Sequence, residues 1–171
     1  FLVYFGAILV KILKALGCSD INFILAVIPV LGAIFIIFPI YLLTNEAFGK
    51  EAGILATLLI SVMPGQFLAR SLLGFNDHHV WEVFWMVSTL ALFLYSLNRK
   101  KVKYYVLTGV SFGLYIYTWA PGSFFSIFML FSIVTLAMLR WWFDFSKDEF
   151  KGILIIFTIA TLMYLPFSTK T

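Results

Sequence analysis

Charge is what this chain of 171 residues has least of. Lys and Arg total 12, Asp and Glu total 8, and charged residues make up 12% of the chain, against about 25% in an ordinary soluble domain. Cysteine is almost missing as well: Cys18 stands alone, which excludes a disulfide scaffold. What fills the chain is apolar. Hydrophobic residues reach 63%, with 20 Phe and 5 Trp, and the mean hydropathy is +1.03. A water-soluble globule of this length cannot hide that much apolar surface, and a disordered chain would not contain it. An all-α, polytopic membrane protein remains. A net charge of +4 needs no nucleic-acid partner. The chain opens on Phe1 rather than Met and shows no signal-peptide pattern. Residues 1–171 therefore read as part of one transmembrane domain, cut from a longer protein.

Uncharged runs place the spans. Residues 21–43 hold no charge and suffice for one crossing of a hydrocarbon core about 30 Å thick, with bends expected at Pro29 and Pro39. Residues 52–69 predict a second span, and 83–97, extended back to Val80, a third. Residues 104–139 are uncharged throughout; as one helix they would be about 54 Å long, so a turn is expected at Trp119-Ala120-Pro121-Gly122. That gives spans at 104–118 and 122–139, and 152–167 makes a sixth. Residues 1–16 carry Lys11 and Lys14 on one face and predict an interfacial or truncated helix. Neither an internal repeat nor a low-complexity tract is evident.

Orientation follows the Lys and Arg bias. Lys50, the run Arg99-Lys100-Lys101-Val102-Lys103, and Arg140, Lys147 and Lys151 fall in three loops on the same side. Assigning that side to the cytoplasm puts residues 70–79 and the 119–122 turn outside. The expected location is thus a cell membrane, crossed several times, with the site on the outer face.

That outer segment is where ionisable groups collect: Ala69-Arg70-Ser71-Leu72-Leu73-Gly74-Phe75-Asn76-Asp77-His78-His79-Val80-Trp81-Glu82. Such groups are costly beside hydrocarbon and are functional candidates by default. Gly74 and Asn76 predict a turn, in which Asp77 and His79, two apart, would point the same way while His78 points away. A carboxylate with an imidazole suits Mn²⁺, and Mg²⁺ less well. Asn76 or Asp77 is positioned to cap the next helix, whose N-terminus favours a phosphate, and Arg70 could add a fork of donors. The plainer readings make Asp77 only a cap, Arg70 a snorkelling residue, Glu82 a helix-dipole partner, and Trp81, Trp119, Trp141 and Trp142 interfacial anchors.

Pro64-Gly65-Gln66-Phe67-Leu68-Ala69-Arg70-Ser71-Leu72-Leu73-Gly74-Phe75-Asn76-Asp77-His78-His79 resembles the P-G-x-x-x-R-S-x-x-G-x-x-D segment of oligosaccharyltransferase catalytic subunits, in the archaeal D-H-H form. Thr118-Trp119-Ala120-Pro121-Gly122-Ser123-Phe124 is similar to the family's W-G-G-Y-V-F turn, from which Ala120-Pro121 departs. The resemblance implies a GT-C glycosyltransferase fold that moves an oligosaccharide from a dolichyl phosphate or pyrophosphate carrier to Asn in Asn-x-Ser/Thr. It implies Asp77 and His79 as metal ligands, Arg70 as a catalytic and substrate-binding residue, and Trp119 as a substrate contact. Spans around 104–139 are the expected walls for the dolichyl chain. Asp20 sits too late to match the family's first metal-binding Asp, the acceptor-binding Glu would fall beyond Thr171, and the soluble C-terminal domain is not in this stretch. The fragment alone is expected to be inactive. Two rivals are a GT-C protein O-glycosyltransferase and a proton-coupled transporter relaying through Asp77, His78 and His79.

Overall fold

The computed structural model describes residues 2–17, 20–75, 77–118 and 146–168. Every regular element among them is helical: α1 (Leu2–Ala15), α2 (Ile21–Phe35), α3 (Ile37–Phe48), α4 (Lys50–Val62), α5 (Gln66–Arg70), α6 (His79–Arg99), α7 (Val102–Thr118) and α8 (Lys147–Ser168). Two stretches, Ile21–Phe48 and His79–Arg99, are long and apolar enough to cross a membrane. The expected span at 122–139 and the 119–122 turn lie outside the described residues.

Proline decides where the apolar runs break. The run from Ile21 breaks once: α2 passes through Pro29 and stops at Phe35. Pro39, in the first turn of α3, has no N–H to offer the Phe35 carbonyl four residues back, and its ring crowds that carbonyl. The junction falls at Ile36. The expected second span, 52–69, is corrected more sharply. α4 ends at Val62 because Pro64 drives Met63 out of the helical region, to φ −68° and ψ 118°. The chain restarts only at Gln66. Absence of charge counted these residues as one span; backbone chemistry divides them. Asp20, by contrast, is a plain helix cap, its Oδ1 accepting from the N–H groups of Asn22 and Phe23 at 3.0 and 3.1 Å.

The core lies where α7 packs between α6 and α8. Tyr105, Phe112, Tyr115, Ile156 and Ala160 are buried together there, flanked by Trp85, Phe93 and Phe157. Among apolar surroundings the hydrophobic effect does not distinguish a helix from lipid, so close packing of small residues holds such helices together. Gly109 and Gly113, one G-x-x-x-G unit on α7, meet α8: a Cβ on Gly109 would stand 2.9 Å from the Ile156 carbonyl oxygen. One buried polar bridge crosses from α7 to α6. Thr89 donates its hydroxyl to the Trp85 carbonyl at 2.8 Å, so the Ser111 hydroxyl donates to Thr89 Oγ1 at 3.2 Å. Large apolar side chains on the outside, among them Leu55, Leu58 and Val62 of α4, suit a hydrocarbon solvent.

α6, about 30 Å long at 1.5 Å per residue, has a charged end and a site end. At the charged end Asn98 donates to Glu46 at 2.8 Å, Arg99 approaches the same carboxylate at 3.4 Å, and Lys100 pairs with Glu149 at 3.0 Å. The end of α3, the end of α6 and the first turn of α8 therefore meet on one side of the bundle.

Gly109→Ala should destabilise the bundle by about 1–3 kcal/mol, because the added methyl meets backbone that cannot move aside. Gly6→Ala, whose Cβ would meet only side-chain methyls at 3.4 Å, should be neutral or stabilising. Thermal unfolding of both variants in detergent checks the contrast; equal losses would contradict the packing described.

Candidate functional site

The site is assembled by α5, the loop after it and the first turn of α6. α5 is one short turn, long enough to put Gln66 and Arg70 four apart on one face. Arg70 donates from Nε to Gln66 Oε1 at 3.1 Å, which fixes the plane of the guanidinium. Ser71 is buried and donates its hydroxyl to the Leu68 carbonyl at 2.8 Å. The loop then turns at Gly74, whose φ of +88° is a left-handed conformation that side chains disfavour. Its N–H donates to the Ala26 carbonyl of α2 at 2.9 Å, tying the loop to the bundle.

That turn carries the chain back so that Asp77 faces Arg70. Arg70 donates from one terminal nitrogen to Asp77 Oδ2 at 2.8 Å. Asp77 Oδ1 accepts from the His78 backbone N–H at 2.7 Å and lies 2.8 Å from His78 Nδ1. His79 Nε2 stands 3.6 Å from Asp77 Oδ2, and its Nδ1 lies 2.9 Å from Glu82 Oε2. The two imidazole rings are 4.2 Å apart, centre to centre. Asp77, His78 and His79 each offer a ligand atom, all within 4.8 Å of one another, and His78 Nε2 is buried with no hydrogen-bond partner among the described residues. One carboxylate oxygen with imidazole nitrogens fits a borderline divalent cation. Beside this cluster a cavity of about 280 Å³ opens between Gln66, Phe67 and Arg70 on one wall and His79, Glu82 and Val83 on the other.

Asp77 and His79 thus converge as their spacing predicts, and Arg70, seven residues earlier, joins them. Three expectations change. His78 does not point away: the helix begins one residue earlier than an extended segment would allow, and His78 turns its ring onto Asp77. Asp77 does not cap α6; the N-cap position is His78, with no side-chain cap bond, because the Asp77 carboxylate is already engaged by Arg70 and by its neighbour. Glu82 is more than a dipole partner, since it touches His79. An i,i+3 His–Glu spacing at a helix start carries that signal. Asn76 and Trp119 lie outside the described residues.

The family model for the oligosaccharyl transferase STT3, N-terminal, matches residues 1–169. A dolichyl-phosphooligosaccharide-protein glycotransferase 3 of Archaeoglobus fulgidus is 37% identical over 98% of this chain, which spans 21% of that relative's length. The crystal structure of the Archaeoglobus fulgidus oligosaccharyltransferase tethered to an acceptor peptide with an NVT sequon superposes with a TM-score of 0.86, at 37% identity over 97% of this chain and 21% of that one. The same enzyme's complex with zinc and sulfate gives a TM-score of 0.83 at 37% identity, covering 97% of this chain and 22% of that one.

Where the cluster takes up a divalent cation, His78→Ala should weaken that binding measurably, since its ring braces Asp77 Oδ1. His79→Ala and Asp77→Ala should weaken it further, by about tenfold or more. A metal titration of the three variants checks the order; an unaffected His78→Ala would mean its ring contact is incidental.

Proposed function

The chain belongs to the oligosaccharyl transferase STT3 family, and on that premise we propose that the protein carrying it transfers a glycan from a dolichyl phosphate or pyrophosphate carrier to Asn in Asn-x-Ser/Thr segments of acceptor proteins. The observation that carries this reading is the convergence of Arg70, Asp77 and His79 at the start of α6, beside a cavity that Arg70 and His79 both line.

In this reading Asp77 and His79 hold a divalent cation, Mn²⁺ or Mg²⁺. Such an ion supplies Lewis-acid stabilisation of charge on the departing phosphate. Support comes from the donor set and from a relative crystallised with zinc and sulfate. Arg70 is the catalytic and substrate-binding side chain. With Nε on Gln66 and one terminal nitrogen on Asp77, its orientation is set before any ligand arrives. The rest of its planar fork can address phosphate oxygens in the cavity, and preorganised donors of this kind cost nothing to reorient when charge develops. Trp119 is the further substrate contact, on resemblance alone.

The surrounding architecture is a GT-C membrane domain whose described helices belong to about six crossings, with the site on the outer face. The placement of Arg99 and Lys100 at the far end of α6 from the site supports that orientation. A second cavity, of about 390 Å³ and lined by Tyr4, Leu114, Tyr117 and Met163, lies toward the end of α7 away from those residues and suits part of a dolichyl chain.

Glycopeptide formation by the full-length protein should require a divalent cation and should fall about tenfold or more in Asp77→Ala and His79→Ala. Arg70→Lys keeps the charge but loses the planar fork, so it should recover only part of the activity lost in Arg70→Ala. Full turnover by Arg70→Ala would make Arg70 an interfacial anchor. For the topology, Lys100→Cys in a Cys18→Ala background should resist a membrane-impermeant thiol reagent added outside intact cells; labelling there would reverse the orientation.

A further inference from the structure

Glu82 lies on the first turn of α6, and its side chain is 16% exposed. It lines the same cavity as His79 and Arg70, yet it makes its one described ion-pair contact with His79 Nδ1, at 2.9 Å. A carboxylate of this kind only accepts, so the hydrogen of that bond sits on Nδ1. His79 Nε2 is 3.6 Å from Asp77 Oδ2, too far for a hydrogen bond. In the neutral ring with its hydrogen on Nδ1, the lone pair belongs to Nε2, the nitrogen nearer Asp77. Two donors each about 2.1 Å from a shared ion stand about 3.0–3.6 Å apart for bond angles of about 90–118°, and the Nε2–Oδ2 separation falls within that range. A carboxylate on the far nitrogen of a ligating imidazole sets its tautomer and orientation and raises its basicity.

We infer that Glu82 is a positioning residue: through the Nδ1 hydrogen bond it sets the tautomer and orientation of His79, so that Nε2 faces Asp77 and a divalent cation held between them. This rests on the reading of Asp77 and His79 as metal ligands. Two other roles would place Glu82 in the same spot, a partner for the α6 dipole or a direct contact with a ligand in the cavity. Neither would act through His79, and that difference is measurable.

The test is Mn²⁺ binding to the full-length protein without substrate, followed by loss of the free-ion EPR signal. Glu82→Ala should raise the binding midpoint about 10- to 100-fold. Glu82→Gln should raise it less, since the amide oxygen still accepts from Nδ1. The decisive comparison is the double variant: His79→Ala/Glu82→Ala should match His79→Ala within about twofold, the margin expected when one residue acts through the other. An unshifted Glu82→Ala, or a Glu82→Ala effect of the same size with and without His79, overturns the proposal. Thermal unfolding reports on folding, and if Glu82→Ala does not fold, Glu82→Gln is carried through the same cycle with the same criteria. Asp77→Ala separates the two levels. If it leaves the midpoint unmoved, the metal reading falls and this proposal with it. If it moves the midpoint while the Glu82 variants do not, the positioning role alone is rejected.

Discussion

The approach of α6 to α2 at Gly32 is the contact on which the site depends. A Cβ there would lie 2.6 Å from Val80 and 3.3 Å from the Trp81 ring, so only glycine admits the first turn of α6 this close. Val80 and Trp81 are both buried by that approach. Their neighbours in sequence, His79 and Glu82, are thereby turned toward α5 and the cavity. The second tether, from Gly74 to the Ala26 carbonyl, fastens the preceding loop to the same helix. α2 thus acts as a platform, holding both halves of the cluster with one side-chain-free crossing and one backbone hydrogen bond.

Within that frame the cluster is a closed set of charge contacts. Asp77 is shared among Arg70, His78 and the approach of His79; His79 is shared between Asp77 and Glu82. Each half-buried charge has an opposite or hydrogen-bonding neighbour, which offsets the cost of keeping it beside apolar helices. The same economy holds at the far end of α6, where Glu46 and Glu149 answer Arg99 and Lys100.

Much of this was legible in the sequence. Uncharged runs located α2 with α3, α6, α7 and α8, since composition alone reports what a hydrocarbon solvent tolerates. The clustering of Arg70, Asp77 and His79 followed from spacing and a glycine turn. What the runs could not show was the division at Pro64, because the lack of charge says nothing about which N–H groups a helix needs. The direction of His78 depended on one residue of helix start, a boundary that periodicity does not resolve. The i,i+3 spacing of His79 and Glu82 lies in the sequence, but the dipole reading of Glu82 passes over it, and its meaning required the distance from Nε2 to Asp77.

The early end of α4 has a consequence for depth. Its 13 residues extend about 20 Å, against about 30 Å for α6, so α4 alone falls short of a hydrocarbon core about 30 Å thick. The chain continues from it through an extended step at Met63 and Pro64 into the single turn of α5. The early stop frees Gln66, Phe67 and Arg70 from the α4 axis, and these are the residues that α5 brings to the cavity facing α6. One proline thus turns what would be a continuous apolar helix into a step that carries a polar wall.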